Sequence, residues 1–283
     1  MKIRKNKMAT EKKIFFKKNE AKEGYEILVS KNNSYLKDLE IGRLRLGHKG
    51  ASYKGETKNE EVLLYPLIGS CDIILEKNEK IEKFHSVGRR TKIFEKEPDS
   101  LLVEPNTKFH IVCISNSADC LIPRVKVENN SSTKTTLIKS ENVEVYEIGE
   151  RNYKRKVRVV LGGNGPAARL RGGETINEPG QWSSWPRHSF DNQSELADQF
   201  EEFFMYFTLP KEGYGLQRCD GHFVDGEFRE QTMLVRNGDY AVLPLGDHPI
   251  VASPDSRVLY VWFYISPIPK IYPKWAEDHG EYA

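Results

Sequence analysis

Short apolar runs recur along the whole of this chain. Val62-Leu63-Leu64-Tyr65, Cys71-Asp72-Ile73-Ile74-Leu75, Ser100-Leu101-Leu102-Val103 and Phe109-His110-Ile111-Val112-Cys113-Ile114 fall in the first half; Val157-Arg158-Val159-Val160-Leu161, residues 203–208, Ala241-Val242-Leu243 and residues 258–265 fall in the second. Each is rich in β-branched or aromatic residues, and most are followed by Gly, Pro, Asn or Asp, as strands closed by turns should be. Many short strands at close spacing predict an all-β chain built as sandwiches or barrels. Helical periodicity is scarce, and residues 194–202 are the best candidate for one or two turns.

The 283 residues allow two domains or one large β domain. A polar stretch at residues 128–134 has loop composition near the middle. On either side of it a pattern recurs. Glu60-Glu61 opens an apolar run and Asp99 precedes a second run ending at Pro105; Glu201-Glu202 opens an apolar run and Asp239 precedes a second run ending at Pro244. An internal repeat predicts two similar barrels, over residues 19–140 and 141–283, preceded by a basic tail or edge strand at 1–18.

Charge narrows the partners. A formal net charge of +2 gives no global field to attract nucleic acid or an acidic membrane. The lysine-rich start flanks only Ile14-Phe15-Phe16, too short for a signal-peptide core, and nowhere do about 18 apolar residues run together. A cytoplasmic protein is expected, with a homo-oligomer left open. Cys71, Cys113, Cys120 and Cys219 form no C-x-x-C pair, so isolated thiols are expected rather than a zinc knuckle or disulfide framework.

Candidate chemistry concentrates between Gly172 and Pro249. This stretch holds Gly180-Gln181-Trp182-Ser183-Ser184-Trp185-Pro186-Arg187-His188, then Glu202 at the start of an apolar strand, then Gly238-Asp239-Tyr240-Ala241-Val242-Leu243-Pro244-Leu245-Gly246-Asp247-His248. Two histidines and a carboxylate so far apart define no site by spacing alone, although antiparallel barrels bring such positions together.

The last of these segments resembles the second motif of the cupins, G-x5-P-x-G followed by His. More specifically, Gly180-x-Trp182-Ser183-Ser184-x-Pro186-x-His188-x-x-Asp191, Glu202, Gln217-Arg218 and Pro244-x-Gly246-x-His248-Pro249 resemble the 5-deoxy-glucuronate isomerase family. They are similar, more distantly, to the 4-deoxy-hexosulose-uronate ketol-isomerases. The likeness extends through Gly88-Arg89-Arg90-Thr91-Lys92-Ile93-Phe94 and Tyr153-Lys154-Arg155-Lys156-Val157, and so covers most of the chain.

The resemblance implies a double cupin whose second barrel binds a divalent metal, usually assigned as zinc, through three His and one Glu. Iron and manganese are also compatible with such donors. Position by position this implies His188, Glu202 and His248 as ligands. The remaining His does not carry over, because Phe190 stands in its place, and Asp247 replaces a family Tyr. Three protein ligands with open positions still make a usable catalytic site.

The implied chemistry is an aldose to ketose conversion of a small sugar acid. Arg218 is the candidate for the substrate carboxylate, because its planar fork suits that group. Tyr206 shares a strand face with Glu202 by period two and is the candidate for moving a proton. His48, His85, His110, His222 and His279 have no comparable context, and Arg89 and Arg90 read as structural. The first barrel lacks a His-Glu-His pattern and is expected to bind no metal. Gly163-x-Gly165-x-x-Ala168 nominally fits a dinucleotide turn, but Pro166 and the residues after it read as turn and strand rather than helix.

Three functions follow: a metal-dependent deoxy-uronate isomerase, a sugar-acid-binding cupin that has lost a ligand at Phe190, and another metal cupin enzyme such as an oxygenase.

Overall fold

The computed structural model describes residues 12–18, 22–128, 131–185, 188–189, 200–222, 227–243, 247–265 and 274–275, with the backbone alone at 188–189, 222 and 274–275. The described residues are almost entirely strand and turn, and no helix among them is long and apolar enough to cross a membrane. Residues 201 and 202, expected to end a helical turn, open the strand Glu201–Leu209 instead. Both faces of that strand are covered, so its sequence is a continuous apolar run without alternation. The rest of the expected helix, residues 194–199, lies outside the described residues.

In the first half the sheet order is Thr136–Ile138, Ser100–Val103, Glu60–Lys77, Ala118–Lys126, Glu40–Leu46, Gly24–Val29. The second part of Glu60–Lys77 leaves this layer to pair with Lys80–Arg90 and Lys108–Cys113. It turns at Gly69, whose φ of +87° suits glycine and where a Cβ would strike the backbone of Ser117. In the second half the order is Phe15–Phe16, Tyr240–Leu243, Glu201–Leu209, Arg257–Ile265, Leu170–Asn177, Arg155–Leu161, Glu144–Ile148. A four-stranded sheet of Trp182–Ser183, Ile250–Ala252, Tyr214–His222 and Phe228–Arg236 completes that half.

The two orders correspond over six strands, Glu144–Ile148 being an additional edge strand of the second, and each begins with a strand drawn from just before a barrel or at its end. Phe15–Phe16 precedes the first barrel in sequence but pairs with Tyr240–Leu243 of the second. Thr136–Ile138, the corresponding edge strand at the end of the first barrel, pairs with Ser100–Val103 of the first. Asp99 and Asp239 hold the chain just after these two edge strands in equivalent ways, accepting hydrogen bonds from the backbone N–H of Ser140 (2.8 Å) and of Lys18 (2.9 Å).

A reciprocal pair corrects the register of the sequence repeat. Glu61 accepts the backbone N–H groups of Ala168, Arg169 and Leu170 at 2.6–2.8 Å. Glu201 accepts those of Lys37, Asp38 and Leu39 at 2.6–3.1 Å. Between the two clasps Arg169 reaches Asp38 at 2.9 Å. Glu61 therefore corresponds to Glu201, one residue away from the match of acidic pairs, and Val62 occupies the place of Glu202. The turn that nominally fits a dinucleotide motif leads into the strand Leu170–Asn177, and its end presents backbone amides to Glu61.

The barrels share a core. Leu63 and Tyr65 of the first pack with Phe203, Met205, Val261 and Phe263 of the second, with Tyr65 edge-on to Phe263 at 5.2 Å. Within this contact lies a buried polar cluster: Glu174 receives Tyr65 Oη at 2.7 Å, Arg90 Nη1 at 2.6 Å and Arg158 Nη1 at 3.0 Å. The lumen of the first barrel is filled by Leu44, Val62, Leu64, Ile73, Leu101, Ile111 and their neighbours, together with three buried free thiols, Cys71, Cys113 and Cys120.

Candidate active site

Strand alternation puts Glu202, Phe204 and Tyr206 on the lumen face of the second barrel, while Phe203 and Met205 point to the first barrel. A cavity of about 150 Å³ opens there, lined among the described residues by Glu202, Phe204 and His248, by Arg155, Val157 and Thr175, and by Ser184, Tyr260, Trp262 and Tyr264. At about 30 Å³ each it has room for about five waters.

The structure brings two of the sequence-predicted ligands together: His248 Nε2 stands 3.4 Å from Glu202 Oε2, and both side chains are buried. That carboxylate oxygen has no hydrogen-bond partner. Burial pushes the Glu202 carboxyl up to about 8. Phe204 meets the His248 ring edge-to-face at 5.7 Å and limits its tilt. The backbone of the histidine segment is fixed by Gln217, whose Nε2 donates to the carbonyls of His248 (2.7 Å) and Pro249 (3.1 Å). Asp247 exchanges backbone hydrogen bonds with Asp220 at 2.7 and 2.9 Å, pinning the same segment to the strand Tyr214–His222.

The backbone of His188 pairs with Trp275, and its side chain, with Phe190, lies outside the described residues. Among the described residues no three His, Cys, Asp or Glu side chains gather closely enough to hold an ion. Tyr206 is fully buried and donates its hydroxyl to Gln217 Oε1 at 3.2 Å; burial holds its hydroxyl well above the usual tyrosine range. Arg218, one residue beyond Gln217, pairs with Asp220 and Glu230, each at 3.2 Å. Neither Tyr206 nor Arg218 is among the described residues lining the cavity.

Sequence reasoning missed Gln217 as the brace for His248 and Arg155 as the cation of the cavity. Arg155 sits in the run Tyr153-Lys154-Arg155-Lys156, where only strand parity separates the inward residue from its exposed neighbours. Arg155 and Val157 lie two apart and both line the cavity, so period two along Arg155–Leu161 was the available signal.

The donor pair fits a cation. Two ligand atoms each about 2.1 Å from a tetrahedral ion stand about 3.4 Å apart, matching the separation of His248 Nε2 and Glu202 Oε2. An unpaired buried carboxylate oxygen is costly unless something occupies the space before it.

Two barrels of matching strand order, one lumen apolar and the other holding a buried His-carboxylate pair, define a double cupin. The chain belongs to the KduI/IolB family, whose model matches residues 14–282. It is 32% identical over 249 residues to the 5-deoxy-glucuronate isomerase of Bacillus licheniformis, covering 86% of this chain and 87% of that protein. It is 30% identical over 237 residues to the one of Bacillus subtilis strain 168, covering 82% of each. With relatives named as isomerases matched along most of its length, the chain is an isomerase.

Among solved structures, an IolB-like protein of Salmonella typhimurium LT2 superposes with a TM-score of 0.83 at 21% identity, covering 95% of this chain and 98% of that one. The oxalate decarboxylase of Lactobacillus farciminis gives 0.61 at 11% identity, covering 94% and 89%, a likeness of fold alone.

Proposed function

We propose that the chain is a metal-dependent aldose-ketose isomerase acting on a deoxy-uronic acid, converting 5-deoxy-glucuronate to 2-deoxy-5-keto-gluconate. The observation that carries this reading is the buried Glu202 carboxylate oxygen that faces His248 across 3.4 Å without a hydrogen bond, at a small open cavity. The relatives named 5-deoxy-glucuronate isomerase support the substrate.

Glu202 and His248 would hold a divalent ion, with His188 as the further ligand that the family resemblance implies. Such an ion, when bound, stabilises negative charge on the carbonyl oxygen next to the carbon that loses its proton. The chain's own residues prepare that step. Gln217 and Phe204 fix the imidazole, and the aromatic walls Tyr260 and Trp262 limit the water around the substrate. In the metal-free protein the Glu202 carboxyl retains its proton up to about pH 8. Metal affinity should therefore rise with pH through that range as the ion displaces the proton.

The test is elemental analysis of purified protein, followed by assay of 5-deoxy-glucuronate with and without chelator. Activity lost on chelation and restored by a divalent ion is expected. Metal-loaded protein that leaves the compound unchanged would refute the substrate, and unchanged turnover after complete metal removal would refute the metal dependence.

A further inference from the structure

We infer that Arg155 is the anchor for the substrate carboxylate, and that it sets the direction in which a sugar acid lies in the cavity. This rests on the reading of the cavity as a sugar-acid site and adds the residue that selects the acid.

Arg155 lines the same cavity as Glu202 and His248. Its hydrogen bonds go to two backbone carbonyls, those of Tyr153 at 3.2 Å and Trp185 at 3.1 Å, and both are made by Nη1. No carboxylate among the described residues pairs with it. The other arginines of the barrel contacts differ: Arg43 has Asp119, Arg90 and Arg158 share Glu174, and Arg257 has Glu178. Arg218 already faces two acids, Asp220 and Glu230, which compensate its charge. Arg171 also lacks an acid, but it is buried against the carbonyls of Ala167 and Leu170 and is not among the residues lining the cavity.

A half-buried guanidinium with no counter-charge among the described residues is costly, and burial indeed draws its pKa below the usual arginine value. Arginine stays protonated all the same, so the cost is relieved by an anion arriving in the cavity. Nη1 is held from behind by the two carbonyls, which leaves the Nε and Nη2 edge of the planar fork to receive a carboxylate bidentately. With the acid group at Arg155, the aldehyde end of an open-chain sugar acid extends toward Glu202 and His248, and Tyr260 and Trp262 flank the carbons between.

The test uses the reduced acid made by borohydride treatment of 5-deoxy-glucuronate, which has no aldehyde to isomerise, and its primary amide. Binding of both is measured by calorimetry to the metal-loaded wild type, to Arg155→Met and to Arg155→Lys. The wild type is expected to bind the acid about 10- to 100-fold more tightly than the amide. Arg155→Met should bind the two alike, and Arg155→Lys should keep part of the preference. In the isomerase assay Arg155→Met should raise KM far more than it lowers kcat.

A wild type that binds acid and amide equally overturns the inference, and this measurement needs no variant to fold. So does an Arg155→Met protein that keeps the full preference. A wild type that prefers the acid but does not isomerise 5-deoxy-glucuronate leaves Arg155 as the anchor and refutes the proposed reaction instead.

Discussion

Val62 occupies in the first barrel the position that Glu202 occupies in the second: Val62 is paired with Val103 and Arg124, and Glu202 with Leu243 and Tyr264. One lumen is therefore apolar at this point and the other carries a carboxylate, although the two strands have equivalent neighbours.

Glu202→Val should reproduce the first barrel's condition in the second. Bound divalent metal is expected to fall to background by mass spectrometry, and turnover to fall by at least about a hundredfold. His248→Ala should do the same. Full metal content in either variant would remove the pair from the ligand set.

The metal-free protein should lose stability as pH rises. The Glu202 carboxyl is raised by burial from 4.5 to about 8, so the folded state binds the extra proton between those values. Its contribution is complete below about pH 4.5 and gone above about pH 8. A few kcal/mol, on the order of 1.4 per pH unit, is at stake. Urea midpoints of chelated protein across pH 5 to 9 should slope downward for the wild type and flatten for Glu202→Gln.

Glu174→Gln should be among the most damaging substitutions outside the cavity. It leaves Arg90, fully buried, and Arg158 without the carboxylate they share. A loss of about 3–5 kcal/mol is expected, read from chemical denaturation. Tyr65→Phe, which removes one hydrogen bond to the same group, should cost nearer about 1 kcal/mol.

Deleting residues 1–18 should weaken the barrel farthest from them in sequence. Phe16 stacks on Tyr240 with ring centroids 5.1 Å apart, Val242 donates its N–H to the carbonyl of Ile14 at 2.8 Å, and Lys17 pairs with buried Asp239 at 3.0 Å. Hydrogen exchange at Val242 should accelerate and the second barrel should unfold about 2–4 kcal/mol more easily. Unchanged exchange there would show that the exchanged strand adds nothing.

The fold class was legible because strands in short apolar runs leave a strong signal, and the motif around Glu202 and His248 named two side chains that do meet. The parts that were not legible share a cause. Whether Glu60 or Glu61 corresponds to Glu201 depends on which carboxylate finds three backbone amides far away in the chain, and both are acidic residues at a strand entry. Gln217 and Arg218 are adjacent, and alternation turns the neutral residue inward to brace His248 while the cation, which looked the better candidate, meets Asp220 and Glu230. Arg155 was legible only as part of a run of like residues, because local composition does not say that no carboxylate among the described residues pairs with it.

The exchanged strand at Phe15–Phe16 also bears on how the chain is made. Its partner, Tyr240–Leu243, is synthesised more than two hundred residues later, so during translation this apolar segment waits with its hydrogen-bonding edge bare. Lys12 and Lys13 on one side and Lys17 and Lys18 on the other are the kind of flanking charges that keep such an edge from pairing with another chain. The basic start of the sequence can thus act as a guard during biosynthesis, and Lys17 and the Lys18 backbone later become the clasp that closes on Asp239.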